Sequence, residues 1–254
     1  HHGWVGFRPF EVTEKVVESA EITSFYLSPV DREPLAPHRP GQYLTLRVPS
    51  PLTGSTMRQY SISCAPNAHS YRISVKREDD TVHPGYVSNW LHAQIQQGDV
   101  LEVAPPCGEF VLDTTRTEPL VLLAGGVGIT PLLAMMHAAA HDTTRPIYLV
   151  HAVRDGQVRA FCGELDALMS RHSHLHLHTC YEHPTRDDRE QARFDSEGRL
   201  SYDVLKRFLP PGAMEVYFCG PLPFMKAVHG ILDQLDVPPA HIHHECFGPL
   251  EPLS

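Results

Sequence analysis

Three stretches of this 254-residue chain carry residue types that can handle a cofactor. Arg58-Gln59-Tyr60-Ser61-Ile62-Ser63 reads as a strand or strand end that offers a cation, an aromatic face and two hydroxyls on alternate sides. An arginine can pair with a diphosphate, a tyrosine can pack on an isoalloxazine ring, and a serine hydroxyl can hydrogen-bond the reactive ring nitrogen. By composition alone the plainer reading, an exposed strand of mixed polarity, is favoured. Leu122-Leu123-Ala124-Gly125-Gly126-Val127-Gly128-Ile129-Thr130-Pro131 is a buried run turning into a helix. Its glycines let the backbone turn tightly and approach a pyrophosphate, Thr130 is expected to cap the helix, and Pro131 to take its first position. Amides at that helix start face an anion. The spacing is not Gly-x-Gly-x-x-Gly, and any strand-to-helix turn favours glycine, so other readings stay open. Gly85-Tyr86-Val87-Ser88-Asn89-Trp90 is another helix start suited to a phosphate, weak by itself.

The elements that must position these residues fall into two patterns. From Phe10 to Leu112, short alternating strands such as 10–16, 43–48 and 71–76 are broken by turn residues at Pro40-Gly41, 49–54, Pro66-Asn67 and Gln97-Gly98-Asp99. Closely spaced strands of this kind predict an antiparallel barrel or sandwich. One helix interrupts them, with Val87, Leu91 and Ile95 in a period-four stripe. After the polar segment Asp113 to Glu118, buried strands (120–124, 147–153, 175–181, 215–219, 242–247) alternate with helices near 131–140, 162–171, 201–208 and 222–235. Alternation of this type predicts a parallel sheet covered on both faces. The expected organisation is a linker or tag remnant over residues 1–9, a β domain over 10–113 and an α/β domain over 114–254. Arg186 to Gly198 reads as a charged surface loop.

Composition removes several function classes. The formal charge of −9 and the lack of a long basic run argue against nucleic acid as the main partner. The six cysteines show neither a Cys-x-x-Cys pair nor iron–sulfur spacing, and no secretory signal is visible, which suits a cytoplasmic protein. Pro119 to Met136 is uncharged and as long as a membrane span, but three glycines and Pro131 interrupt it, so no span is expected.

Taken in order, the motifs resemble the ferredoxin-NADP reductase superfamily, most closely the reductase half of flavohaemoglobins. The resemblance runs from Gly3-Trp4-Val5-Gly6-Phe7-Arg8-Pro9-Phe10 through Ile22-Thr23-Ser24-Phe25, Pro40-Gly41-Gln42-Tyr43, Arg58-Gln59-Tyr60-Ser61, Ser74-Val75-Lys76-Arg77-Glu78 and Gly85-Tyr86-Val87-Ser88-Asn89. It ends at Cys219-Gly220-Pro221 and His244-Glu245-Cys246-Phe247-Gly248-Pro249. It implies a β-barrel for FAD and a Rossmann-like α/β domain for NADH or NADPH, the nicotinamide meeting the flavin between them. By position, Tyr43, Arg58, Gln59, Tyr60 and Ser61 would bind FAD, and Gly85, Tyr86, Val87 and Ser88 its diphosphate. Gly126, Val127, Gly128, Ile129, Thr130 and Pro131 would bind the pyridine nucleotide. Phe247, flanked by Cys246, Gly248 and Pro249, would cover the flavin, with Cys219 near the nicotinamide and Glu245 as an acid near the flavin. The family usually has a bulkier residue in place of Cys246. Tyr60, Ser61, Phe247, Glu245 and Cys219 form the expected catalytic set, without a metal.

The implied reaction is hydride transfer from the nicotinamide to FAD and one-electron departure to an acceptor, in a flavohaemoglobin the globin haem whose oxygen complex converts nitric oxide to nitrate. No haem domain lies in this chain. A piece of a longer flavohaemoglobin is the expected origin, because the linker match at residues 3–10 belongs to the fused type and no methionine opens the chain. A free-standing reductase for a ferredoxin, flavodoxin or oxygenase is the alternative, and a non-catalytic flavin-binding module a third reading. Arg154 can meet a 2′-phosphate or lie at the surface; NADH is favoured. His172, His174, His176 and His178, and likewise His241, His243 and His244, are read as the less buried side of their strands rather than as metal ligands. The Met135-Met136 pair is read as helix core.

Overall fold

The computed structural model describes residues 3–35, 37–78 and 86–247. Gly85, Gly248 and Pro249 lie outside the described residues. The chain divides into two compact units between Leu112 and Asp113, with Leu133–Met135 grouped with the first.

The first unit holds β1 (Arg8–Val17), β2 (Ile22–Pro29), β3 (Tyr43–Ser50), β4 (Gly54–Ser61), β5 (Tyr71–Lys76), α1 (Tyr86–Gln94) and β6 (Val100–Val103). The six strands form one antiparallel sheet in the order β4-β3-β6-β1-β2-β5, and a bridge between Ile62 and Ile73 joins its two ends into a barrel. Strand β3 shows how alternation builds it: Leu44, Leu46 and Val48 are fully buried while Tyr43, Thr45 and Arg47 face outward. Each such buried side chain contributes about 1.5–3 kcal/mol. The stripe Val87, Leu91 and Ile95 lays α1 on the same core. Lys15 holds the helix's far end, donating from Nζ to the carbonyls of His92 and Ile95 at 2.8 and 2.7 Å. The segment expected to be a linker is tied down. The Trp4 indole donates to Val103 O at 3.0 Å and its ring packs on Phe10, while β1 begins at Arg8, which pairs with Asp31.

The second unit holds β7 (Leu120–Gly125), α2 (Ile129–Ala139), β8 (Ile147–Val153), α3 (Cys162–Arg171), β9 (Leu175–Tyr181), α4 (Arg186–Glu190), β10 (Ser196–Glu197), α5 (Tyr202–Phe208), β11 (Glu215–Pro221), α6 (Leu222–Gln234) and β12 (Ile242–Phe247). Its sheet is parallel, in the order β10-β9-β8-β7-β11-β12. Strand β7 is buried at every position, as a strand covered on both faces must be. The order runs one way from β7 through β8 to β9 and the other way through β11 to β12, so the sheet reverses between β7 and β11. Ligands of open α/β sheets bind beyond the strands' carboxyl ends at that reversal.

Two expectations need correction, and the strand histidines, of intermediate burial as expected, have definite partners. Residues 186–198 are not a plain loop: Thr185 and Asp188 form a capping box that starts α4, and β10 then pairs with β9. Helix α2 begins at Ile129, so Thr130 is not its cap and Pro131 is not its first residue. Gly126–Gly128 forms a 3-10 turn running straight into it, and the Thr130 hydroxyl donates to Val127 O at 3.0 Å. Pro131, third in the helix, still costs no hydrogen bond, because the first four amides of a helix have no partner within it. His176 and His178 are wedged among aromatic rings: His176 stacks on Tyr148 at 4.5 Å, and His178 lies 5.2 Å from Phe208. His241 and His243 grip the buried carboxylate of Glu215 at 2.5 and 2.9 Å.

The six cysteines differ in exposure: Cys107 and Cys162 are exposed, Cys64 and Cys246 half-buried, Cys180 and Cys219 buried.

Candidate functional sites

In the first unit the candidate residues cluster on β4 and beside it. Strand β4 ends the sheet's hydrogen-bonded order and, among the described residues, pairs along its length with β3 alone, so most of its side chains are exposed. Arg58 is exposed, its Nη1 resting on Met57 O at 2.8 Å, and Gln59 is exposed beside it. The Tyr60 ring packs against the barrel core, and this burial pushes its phenol up, so it stays un-ionised. Ser61 is buried, yet its hydroxyl has no hydrogen-bond partner among the described residues. Ser63 is different. Its hydroxyl belongs to an interior chain, 2.8 Å from the Ser74 hydroxyl, which lies 2.7 Å from that of Ser24, and the buried Arg72 guanidinium donates to it at 3.0 Å. Only one of the motif's two hydroxyls is therefore available to a ligand. Tyr43 pairs with Cys107 through both backbone groups, and its ring covers Gly108, where a Cβ would stand 3.0 Å from it.

At the start of α1, Tyr86 donates its hydroxyl to Pro49 O at 3.0 Å and Val87 is core. The Ser88 hydroxyl accepts from the Glu78 amide at 3.2 Å, and Asn89 donates to Glu78 O at 2.8 Å. Ser88 thus fastens the chain before the helix, which leaves backbone amides as what this helix start offers an anion.

In the second unit Gly126 to Pro131 sit where the strand order reverses. Gly126 has φ +53, a conformation that favours glycine, and a Cβ there would meet no atom within 4 Å. At Gly128 a Cβ would lie 2.0 Å from Cys219 O, so only glycine lets the turn press against β11. Cys219 stands in register between Ala124 of β7 and Glu245 of β12. Burial, reinforced by Glu245 and then Cys246, pushes its thiol well above the usual range, so it stays protonated. Burial also raises Glu245 to about 7, and its Oε2 is buried without a partner. Phe247 and Cys246 are half-buried at the end of β12, opposite Pro221 and Gly220.

These features fit the expected groups: an open strand with a free hydroxyl beside a flat aromatic in the first unit, and in the second an open glycine turn with an unpartnered carboxylate oxygen at the sheet's reversal. Arg154 pairs with Asp155 at 3.0 Å. At the opposite end of the sheet, Glu118, Glu215 and His241 bring ligand atoms within 4.8 Å of one another, but Arg116 already stands 3.6 Å from Glu215 and 3.9 Å from Glu118 as their cation. His151 escaped the sequence reading. It is a buried histidine on β8 whose Nε2 lies 3.2 Å from Gly126 O, and a lone histidine in an apolar run has no spacing that marks it.

Residues 9–112 match the oxidoreductase FAD-binding domain and residues 122–230 the oxidoreductase NAD-binding domain. The FAD/NAD-binding domain of a nitric oxide dioxygenase from Vibrio cholerae is 34% identical, with a TM-score of 0.87 over 96% of this chain and 100% of that one. The chain belongs to the flavohemoprotein reductase family. The reductase is also 43% identical over 257 residues to a flavohemoprotein of Bacillus cereus, covering 99% of itself and 63% of that relative. It therefore spans about 63% of the length of such relatives. A flavohemoglobin from Malassezia yamatoensis with bound FAD and heme shares the fold, at 21% identity and a TM-score of 0.82 over 97% of this chain and 61% of that one. The reductase is an FAD-dependent NAD(P)H oxidoreductase with an antiparallel FAD-binding part and a parallel nucleotide-binding part. Among the described residues no helix is long and apolar enough to cross a membrane.

Proposed function

We propose that the reductase passes electrons from NADH through FAD to a one-electron acceptor, the haem of a globin fused to it in a flavohaemoglobin, and so serves nitric oxide dioxygenation in the cytoplasm. The observation that carries this is the pairing of an FAD-binding and an NAD-binding part in a chain that spans 63% of a flavohemoprotein. Bound FAD supplies the conversion of a two-electron hydride into single electrons.

The chain's own residues do the rest. Tyr60 and Tyr43 supply flat apolar surface for the flavin, Ser61 donates its free hydroxyl to the ring, and Arg58 with Gln59 and the α1 amides from Tyr86 to Ser88 hold the diphosphate. The turn from Gly126 to Pro131 holds the pyridine nucleotide. Phe247, with Cys246 beside it, excludes water from the flavin, Cys219 gives the nicotinamide an uncharged floor, and Glu245 holds or releases a proton at Oε2 near neutral pH. The pairing of Arg154 with Asp155 removes a free cation from a 2′-phosphate and supports NADH. The test is a desalted, FAD-supplemented sample treated anaerobically with NADH, then mixed with the globin half of a relative. Bleached flavin bands followed by haem reduction are expected. Flavin that stays oxidised overturns the reductase reading, and bleaching without haem reduction overturns the acceptor.

A further inference from the structure

We infer that His151 is a positioning residue for the pyridine nucleotide, fixing the peptide between Gly126 and Val127 so that the Val127 amide presents outward to the phosphates. The inference rests on the nucleotide reading of the glycine turn proposed above.

The Gly126 carbonyl accepts from two donors, the His151 ring Nε2 at 3.2 Å and the backbone amide of Ile129. The imidazole holds it inward, because His151 lies on β8 and is 1% exposed. In a planar trans peptide the carbonyl of one residue and the amide hydrogen of the next point in opposite directions. An inward Gly126 carbonyl therefore turns the Val127 N–H away from the imidazole and out of the sheet. Without His151 the carbonyl keeps only the 3-10 hydrogen bond from the Ile129 amide, and glycine at φ +53 tolerates backbone conformations other residues do not, so the peptide loses one of its two restraints against flipping. A flipped peptide would aim a carbonyl oxygen at an anion.

The chemistry of the imidazole suits this task. A carbonyl only accepts, so Nε2 must carry the hydrogen and Nδ1 must be bare. Nδ1 is buried with no partner, a cost that an apolar residue at this position would avoid. Burial first, then the nearby Arg159 charge, lower His151 to about 4, so the ring is neutral over the physiological range and its single donor is always in place. The Gly126 carbonyl, not a proton transfer, gives this histidine its use.

The test uses the FAD-loaded full chain. His151→Phe keeps a ring and removes the donor, whereas His151→Gln keeps a donor close to the position of Nε2. Calorimetric titration with NAD⁺ should show affinity about tenfold weaker in His151→Phe and within about threefold of the parent in His151→Gln, with FAD content unchanged. Steady-state kinetics should place the loss in KM for NADH, with kcat nearly constant. Parental affinity in His151→Phe, or equal losses in the two variants, would overturn the inference. The unaltered protein gives a second measurement that does not depend on how the variants fold. Imidazole ¹⁵N spectra should show His151 as the Nε2–H tautomer from pH 5 to 8, and an Nδ1–H tautomer would be decisive against it. Failure of the parent to bind NAD⁺ at all would instead sink the nucleotide reading, a separate outcome.

Discussion

Strand β4 and the turn after β7 are both candidate cofactor sites, built from opposite materials. Strand β4 works with side chains on an open edge, where Arg58 and Gln59 stand in solvent and the Ser61 hydroxyl is unclaimed. The turn works with backbone: its glycines bring main-chain amides close to a ligand, and the polar side chains His151 on β8 and Glu245 on β12 each bury one atom without a partner. Side-chain sites are disabled by removing a group, backbone sites by adding one. The buried site also stores an electrostatic cost that the open one does not.

The sharpest way to break the contrast is to add a single carbon. Gly128→Ala would press a methyl against Cys219 O, 2.0 Å away, and displace the turn. NADH-driven flavin reduction followed by stopped flow should fall about 100-fold while FAD content holds, the scale of loss that an ångström of misplacement brings. Loss of FAD together with nucleotide binding would show that the two sites are not separately built.

Glu245→Gln probes the stored cost. Folded, this carboxyl keeps its proton up to about 7, against an ordinary value of 4.5. The folded state then binds more protons than the unfolded one between about pH 4.5 and 7, so stability falls as pH rises through that window and levels off above it. The glutamine variant should lack this slope and gain on the order of 3 kcal/mol at pH 8. Thermal-melting curves with the same pH dependence in the two proteins would refute a Glu245 that stays neutral up to about pH 7.

On the open strand, removal is the test. Tyr60→Ala should weaken FAD binding about tenfold, read from flavin fluorescence after desalting. Ser61→Ala should retain FAD and slow its reduction by NADH by up to about tenfold, one hydrogen bond's worth. Unchanged reduction rates would remove Ser61 from the catalytic set. The mildest effect belongs to a position distant in sequence from either site: Thr185→Ala deletes the α4 cap and should cost about 1 kcal/mol in urea unfolding, with both cofactors still binding.

The two sites also differed in how far they could be read from residues alone. Strand alternation at 43–48 and apolar runs at 120–124 and 147–153 announce the barrel and the parallel sheet, because burial on one face or two leaves different periods. The glycine turn was visible for its composition, but the start of α2 was misplaced by two residues, since a 3-10 turn continuous with a helix leaves no cap residue to mark the boundary. A five-residue helix and a two-residue strand within 186–198 are too short to show a period. His151 on Gly126, and His241 and His243 on Glu215, join residues 25 to 28 positions apart, and no local pattern records such pairings. Ser61 and Ser63 look alike in sequence, and only the interior chain of hydroxyls separates the free one from the committed one.

The distribution of thiols has a practical consequence. Cys107 belongs to the first unit, Cys162 to the second, and both are exposed while Cys180 and Cys219 are buried. A maleimide dye applied to the native protein at limiting dose should therefore label one site in each unit first. Each label would then report on its own unit, without an engineered cysteine.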